Sequence, residues 1–417
     1  MSRNLVVWIA CTIICVIVTM PAVTWAVAPE VVKLGAPDLT RGISSAGPKL
    51  SVSEIKAFLD NPKNHVPLDV LLPMGLDQGK DAIFIPEDNP LTRAKIELGR
   101  QLYFDTRLSG DSSISCASCH HPDHGYGFNS QFGIGINGQT GNRNSPVSFN
   151  RILSQGQFWD GRANSLEAQA VGPMANSIEM GSSHEAVATL ISANPGYKMQ
   201  FDKIFGRKPN IDDAGRAIAA FERALVTGPS PYDYYEPVRK LEEAFAEELE
   251  DMAALKSEDP ELYKKFTSAK ALSDAHPMSD AAKRGRSLFF NVKSNCSACH
   301  VGANFTDEQY HNLGVGIEAT EPDLGRFSVT KDEKDRGAFK TPTIRNIVQH
   351  GPYMHDGSRN TLEEVVEWYD KGGHPNPNLS NKIQKLNLTV SEKADLVEFM
   401  KSLTGALPVV ATNKLPE

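Results

Sequence analysis

Cys116-Ala117-Ser118-Cys119-His120 and Cys296-Ser297-Ala298-Cys299-His300 are one pentapeptide pattern written twice, and their reading decides the fold. Three residues of separation place both thiols on one side of a helical turn, and the adjacent histidine swings beneath whatever the thiols hold. A c-type haem needs this arrangement: two thiols for its vinyl groups and an imidazole under the iron. Zinc competes for Cys and His at such spacing. Haem is favoured because the two motifs use every cysteine outside the N-terminal apolar stretch of a chain that reads as exported. Cys116, Cys119, Cys296 and Cys299 then carry two covalently bound c-type haems, with His120 and His300 as proximal iron ligands.

The repetition extends outward. A related helix precedes each motif, Leu98-Gly99-Arg100-Gln101-Leu102-Tyr103-Phe104-Asp105 and Arg284-Gly285-Arg286-Ser287-Leu288-Phe289-Phe290-Asn291. The glycines are 186 residues apart and the first cysteines 180, so the second copy has a connecting loop six residues shorter. A second matched pair closes each copy at helical spacing: Ile218, Phe221 and Leu225 in 214–226 mirror Leu396, Phe399 and Leu403 in 391–403, and Thr-Gly follows each helix. Strand-like alternation is scarce, and Gly and Pro punctuate long loops between short helices. The expected fold is mainly α, with two domains related by an internal duplication.

Composition sets the outer bounds. With 417 residues, 40% hydrophobic and 23% charged, the chain is globular and neither collagen-like, disordered nor a polytopic membrane protein. A net charge of -8 and a pI near 5.8 leave no basic field for nucleic acid, so none is expected as a partner. A charge-steered partner should be basic. Cys11 and Cys15 lie in the apolar stretch Leu5 to Met20, after Met-Ser-Arg-Asn and before Thr24-Trp25-Ala26, the layout of a signal peptide cleaved after Ala26. An uncleaved anchor is the alternative, because the run approaches the lower limit for a membrane span. Residues 232–275 are acidic, and Leu241 to Leu249 carries one apolar stripe, which reads as a linker helix packed on the body rather than a docking arm.

Beyond the haem motifs the sequence resembles the bacterial di-haem cytochrome c peroxidases, in the wider family that includes MauG. The resemblance covers roughly residues 85–405. It rests on Gly141-Asn142-Arg143-Asn144-Ser145-Pro146, Gln157-Phe158-Trp159-Asp160-Gly161-Arg162-Ala163, Asn176-Ser177-Ile178-Glu179-Met180, Phe339-Lys340-Thr341-Pro342-Thr343-Ile344-Arg345-Asn346 and Gly351-Pro352-Tyr353-Met354-His355-Asp356-Gly357. It implies two cytochrome c-like haem domains. The expected boundaries are a signal peptide at 1–26, an arm at 27–84 with one short helix near Ser51 to Leu59, a peroxidatic haem domain at 85–231, an acidic helical insertion at 232–278 and an electron-transfer haem domain at 279–410.

The resemblance also implies residue roles. The haem on His120 is the peroxide site, Glu179 falls at the distal acid/base position, and Gln169 and Pro173 fall at two further pocket positions. A carboxyl is what the chemistry wants, since heterolysis of O–O moves a proton from one oxygen to the other. Trp159 matches the indole between the haems. Asn144 matches a calcium ligand whose partners correspond to the backbone carbonyls of His350 and Pro352.

Three departures from the family pattern bear on mechanism. Many relatives carry a displaceable distal histidine where this chain has Ile136, so the first haem is expected five-coordinate or water-bound; His121 and His124 read as structural or surface residues. At the sixth position of the second haem, ordinary family peroxidases use Met, whereas this chain has Tyr369, as in the MauG branch; Met354 is the rival ligand. A tyrosinate lowers the potential relative to a thioether. Ser294 replaces the tryptophan at which the MauG branch oxidises its protein substrate.

The expected function is therefore a periplasmic di-haem peroxidase, an enzyme reducing hydrogen peroxide to water with electrons from a small c-type cytochrome or copper protein. One alternative is a MauG-like enzyme that uses peroxide to oxidise side chains of a partner protein. Another is a di-haem electron-transfer cytochrome without turnover. Family members are commonly dimers, which leaves a homodimer open.

Overall fold

The computed structural model describes residues 29–45 and 47–417, and the expected signal peptide at 1–26 lies outside them. No helix among the described residues is long and apolar enough to cross a membrane.

Each copy is organised around one helix crossing. Helix Arg93–Phe104, capped by the Thr92 hydroxyl, lies across Ile211–Ala224, and nearly every residue of both is buried. Gly99 sits at the contact: a Cβ there would lie 1.9 Å from the Ala217 carbonyl oxygen. The second copy repeats the contact, with Asp280–Phe289 across Val390–Lys401 and a Cβ on Gly285 only 1.8 Å from the Asp395 carbonyl oxygen. Only a residue without Cβ lets two backbones approach so closely. Around the first crossing Leu98, Leu102, Tyr103, Ile218 and Phe221 form a core that also takes in Leu34, Leu39 and Leu76 of the N-terminal arm. Around the second, Phe289, Phe305, Leu396, Phe399 and Leu403 form another. The mostly helical architecture is that of two repeated haem-motif units; its strands make two pairs, Glu30–Lys33 parallel to Leu68–Leu71 and Tyr310–Asn312 antiparallel to Ala338–Lys340.

The duplication reaches further than the helices. Asn150 and Asn346, 196 residues apart, both take the left-handed conformation and open short turns, Arg151–Leu153 and Ile347–Gln349. Phe158 and Met354 have φ of 66° and 71°, and Gly161 and Gly357 follow three residues later with φ of 67° and 62°. Bridges Gln157 to Ala163 and Tyr353 to Arg359 close the two loops. The hydroxyls of Ser165 and Thr361 then cap helices Leu166–Ala175 and Leu362–Asp370.

This shared loop is where the copies join. The Asn144 N–H donates to the His355 carbonyl at 2.7 Å, and the Lys340 N–H donates to the Trp159 carbonyl at 2.8 Å. Both residue pairs are related by the same 196-residue offset, so the two hydrogen bonds are reciprocal. Arg143 reinforces the contact, bonding Asp160 at 2.7 Å and Asp323 at 2.6 and 2.8 Å.

The acidic insertion is three helices, Pro231–Ala244, Met252–Glu258 and Pro260–Ala275, rather than one linker helix. Leu241, Leu255 and Leu262 give it a small core of its own. Its first helix is tied down by Asp233, which takes both guanidinium nitrogens of buried Arg345 at 2.9 and 3.0 Å. In the arm, Ser51 and Glu54 form a reciprocal cap on helix Val52–Asp60, one residue from the expected start. The C-terminal residues run back over the first copy, where buried Arg100 donates to the Lys414 carbonyl at 2.7 Å.

Candidate active site

Cys116–Cys119 is a single helical turn closed by a reciprocal Ser115/Ser118 cap, and His120 follows it directly. The Tyr103 hydroxyl donates to the His120 carbonyl at 2.8 Å and pins the turn to the core. Burial pushes the His120 imidazole down to about 4, so it is neutral with a free lone pair, and its Nδ1 is buried without a hydrogen-bond partner. The second motif turns through Cys296–Ala298 after left-handed Asn295. His300 Nδ1 donates to the Phe305 carbonyl at 3.1 Å, which fixes the tautomer and leaves Nε2 with its lone pair free. Burial lowers His300 as well.

The four cysteines make no disulfide. Burial pushes the Cys116 thiol up to about 12 and those of Cys119 and Cys296 up to about 11. Among the described residues, the one group of three donors able to hold a metal is Cys299, Asp307 and His311, and neither pentapeptide closes on itself as a metal site. Unpaired neutral thiols beside a buried neutral imidazole fit haem attachment.

On the first-motif side, the loop holding Ile136 meets the segment holding Glu179: the Ile136 N–H donates to the Glu179 carbonyl at 2.9 Å. The Glu179 carboxyl accepts from Asn176 Nδ2 at 2.8 Å, and its charge acts on the Cys119 and Cys116 thiols. Burial raises its proton affinity against the opposing pull of Arg162 and Asn176. Gln169 and Pro173 lie one turn apart on helix Leu166–Ala175, both half-buried.

A cavity around the second motif is lined by Cys296, Cys299, His300 and Tyr369 together with Asn144 and Trp159 of the first copy. The Trp159 indole N–H donates to the Asn144 carbonyl at 2.8 Å, while its own carbonyl takes the Lys340 N–H. The Tyr369 hydroxyl has no hydrogen bond among the described residues, and burial raises its proton affinity well above the ordinary phenol value. Met354 lines the same cavity. Asn144, His350 and Pro352 also line it; Asn144 spends Nδ2 on the Ser130 and Gln131 carbonyls at 3.4 and 3.2 Å, so Oδ1 is the atom left for a cation.

The 196-residue offset places Pro173 and Tyr369 at the same position of equivalent helices, and Phe158 opposite Met354. Sequence reasoning missed this, and with it Arg143, Asp160 and Asp323 at the junction. The available signal was Asn150 with Asp160-Gly161, Asn164, Leu166 and Glu167, repeated at the same spacing by Asn346 with Asp356-Gly357, Asn360, Leu362 and Glu363. Ser294, where the MauG branch has its tryptophan, is buried and donates to the Leu288 carbonyl.

Residues 93–241 match the family described as di-haem cytochrome c peroxidase, and residues 282–404 match cytochrome c. The methylamine utilization protein MauG of Methylorubrum extorquens is 34% identical over 333 residues, 79% of this chain and 84% of that one. The cytochrome c551 peroxidase of Nitrosomonas europaea is 36% identical over 316 residues, 75% of this chain and 80% of that one. Among solved structures, a MauG-like protein associated with microbial copper homeostasis superposes with a TM-score of 0.63 at 30% identity, over 77% of this chain and 92% of that one. Two haem motifs on a duplicated helical frame, with relatives of this identity and coverage, show that the chain belongs to the di-haem cytochrome c peroxidase (MauG) family of peroxide-reducing haem oxidoreductases.

Proposed function

We propose that the protein reduces hydrogen peroxide to two waters at the first haem site, using two protons and two electrons drawn one at a time from a small c-type cytochrome or copper protein. The observation that carries this reading is the contrast between Pro173, which has no donor atom, and Tyr369, which presents a hydroxyl at the equivalent place over the second site. Haem bound to His120 and His300 supplies the redox chemistry. Glu179, raised by burial and steadied through one oxygen by Asn176, keeps its other oxygen to move the proton between the peroxide oxygens, and Gln169 helps orient them. Ile136 leaves the distal side without a competing ligand. Trp159 relays electrons between the sites, its N–H held by a peptide carbonyl that does not remove the proton. Tyr369, rather than Met354, closes the second site. Asn144 Oδ1 with the carbonyls of His350 and Pro352 holds a calcium ion. The acidic body suits a donor with a basic rim, and the reading places the enzyme in the periplasm, as a homodimer.

The test is steady-state consumption of peroxide with reduced cytochrome c, together with the spin state of each haem at rest. Turnover with one high-spin haem supports the reading, and two low-spin six-coordinate haems would exclude it. A second reading, oxidation of side chains in a partner protein, is favoured by Tyr369 and Ile136 and weakened by buried Ser294. It predicts a long-lived oxidised state with no consumption of the donor.

A further inference from the structure

Arg151, half-buried in the cavity between the copies, has no carboxylate within ion-pair reach among the described residues. The fully buried arginines close on carboxylates, Arg100 on Glu97, Arg223 on Glu167 and Arg345 on Asp233, and half-buried Arg143 does so on Asp160 and Asp323. Arg151, whose side chain lines the cavity, pairs with neutral groups instead. Nε donates to Gln157 Oε1 at 2.9 Å, and Nη2 to Ser154 Oγ at 3.0 Å, to the Gly156 carbonyl and to Gln157 again. Nη1 has no acceptor among the described residues. Burial alone opposes the charge, to the point of lowering the proton affinity of the guanidinium.

A second cation arrives from the other copy. Lys340 Nζ donates to the same Ser154 Oγ at 2.6 Å and to the Gly156 carbonyl, and it pairs with Glu308 at 2.6 Å. Ser154 in turn donates to Glu308 at 2.7 Å. The other titratable groups coupled electrostatically to Arg151 are Glu222, Tyr310 and His120, none within ion-pair or hydrogen-bond reach of it. Glu308 is therefore shared between Lys340 and Ser154, and the open edge of Arg151 still faces the cavity. A guanidinium partly withdrawn from water, with one nitrogen unpaired, suits an anion with two coplanar oxygens better than further neutral acceptors. Haem brings two carboxylates of that shape.

We propose that Arg151, with Lys340 beside it, clasps a carboxylate of a bound haem where the two copies meet. The clasp depends only on haem attachment, not on the peroxide reading, and the haem absorption bands report attachment separately. A clasped carboxylate stays ionised across the working pH range and leaves the potential of its haem flat with respect to this group. Without the guanidinium, reduction takes up a proton and the potential falls as pH rises.

The experiment is spectroelectrochemical titration of both haems in the holoprotein between about pH 5 and 8. Arg151→Gln is expected to give one haem a potential that is lower than wild type at the alkaline end and declines with pH, and Arg151→Lys to restore the wild-type profile. Lys340→Gln, expected to move the same haem in the same direction by less, reads the site should Arg151→Gln not load haem. Superimposable wild-type and variant profiles at both haems would overturn the proposal. So would a wild-type potential that shifts on titration with acetate, which would put a free anion in the site.

Discussion

Pro173 and Tyr369 occupy the same place in the two copies, each the eighth residue after the hydroxyl that caps its helix. Ser165 Oγ accepts from the Ala168 N–H at 3.1 Å and Thr361 Oγ1 from the Glu364 N–H at 3.2 Å, so the two helices start alike and end differently. The side chains they present differ in the one respect that matters to a metal: proline has no donor atom and tyrosine has one.

Giving the first copy a ligand is therefore expected to close it. Pro173→His should convert the high-spin haem to a low-spin form and slow its reaction with peroxide by at least about 10², a loss of some 2.7 kcal/mol of transition-state stabilisation. Electronic and EPR spectra of the resting variant check the first statement and stopped-flow mixing the second. A spectrum identical to wild type would show that Pro173 does not stand over the iron.

Tyr369→Met should raise the potential of the second haem, because a thioether stabilises oxidised iron less than a phenolate does. Spectroelectrochemistry reads this directly. An unmoved potential would transfer the ligand role to Met354.

Glu179→Gln should leave the resting spectrum nearly unchanged and slow peroxide cleavage by roughly 10² to 10⁴. In the wild type, burial raises the pKa of Glu179, so the carboxylate is lost on acidification at a higher pH than an ordinary glutamate would be. The rate should fall as pH drops through that value, and the variant should lack this acid limb.

The glycines at the crossings give a stability test free of haem chemistry. Gly99→Ala and Gly285→Ala each drive a methyl group into a carbonyl oxygen less than 2 Å away, and neither backbone can yield without separating the helices. Each should cost about 1–3 kcal/mol or more in thermal or denaturant unfolding. Unchanged stability in either variant would mean the helices cross elsewhere.

Arg143→Met should destabilise the junction by about 3 kcal/mol, since it leaves partly buried Asp323 without an ion-pair partner and buried Asp160 with Arg162 alone. Burial raises both carboxyls, and the Arg143 hydrogen bonds outweigh it, so both are depressed in the folded protein. Their contribution is present above the unfolded aspartate value of about 3.9 and is lost as pH falls through the depressed folded values. The gap in unfolding free energy between wild type and variant should therefore narrow on acidification below about pH 4.

The pentapeptides, the flanking helices and the paired glycines were legible because each is a local pattern with a local cause: thiol spacing, a 3.6-residue apolar period, a close backbone contact. The loop repeat was legible but missed, although Asp160-Gly161, Asn164, Leu166 and Glu167 recur at Asp356-Gly357, Asn360, Leu362 and Glu363. Asn150 and Asn346 keep their identity for the left-handed turn, but Phe158 stands opposite Met354 and Trp159 opposite His355, and little in those pairs signals a common origin. The insertion was read as one helix because acidic residues run through it without interruption, whereas three separate caps at Ser230, Asp251 and Asp259 divide it.

By itself the sequence determined that this protein carries haem twice on a duplicated helical frame, since covalent attachment needs only five consecutive residues. The tertiary structure decided how the copies are set against each other. Reciprocal Asn144–His355 and Lys340–Trp159 hydrogen bonds and the Arg143 pair with Asp323 join residues 180 or more positions apart, and Pro173 and Tyr369 become equivalent only once the helices that bear them are aligned. Residue identity carries no record of the contacts between the copies, because the Asn144–His355 and Lys340–Trp159 bonds are made by backbone groups common to all residues.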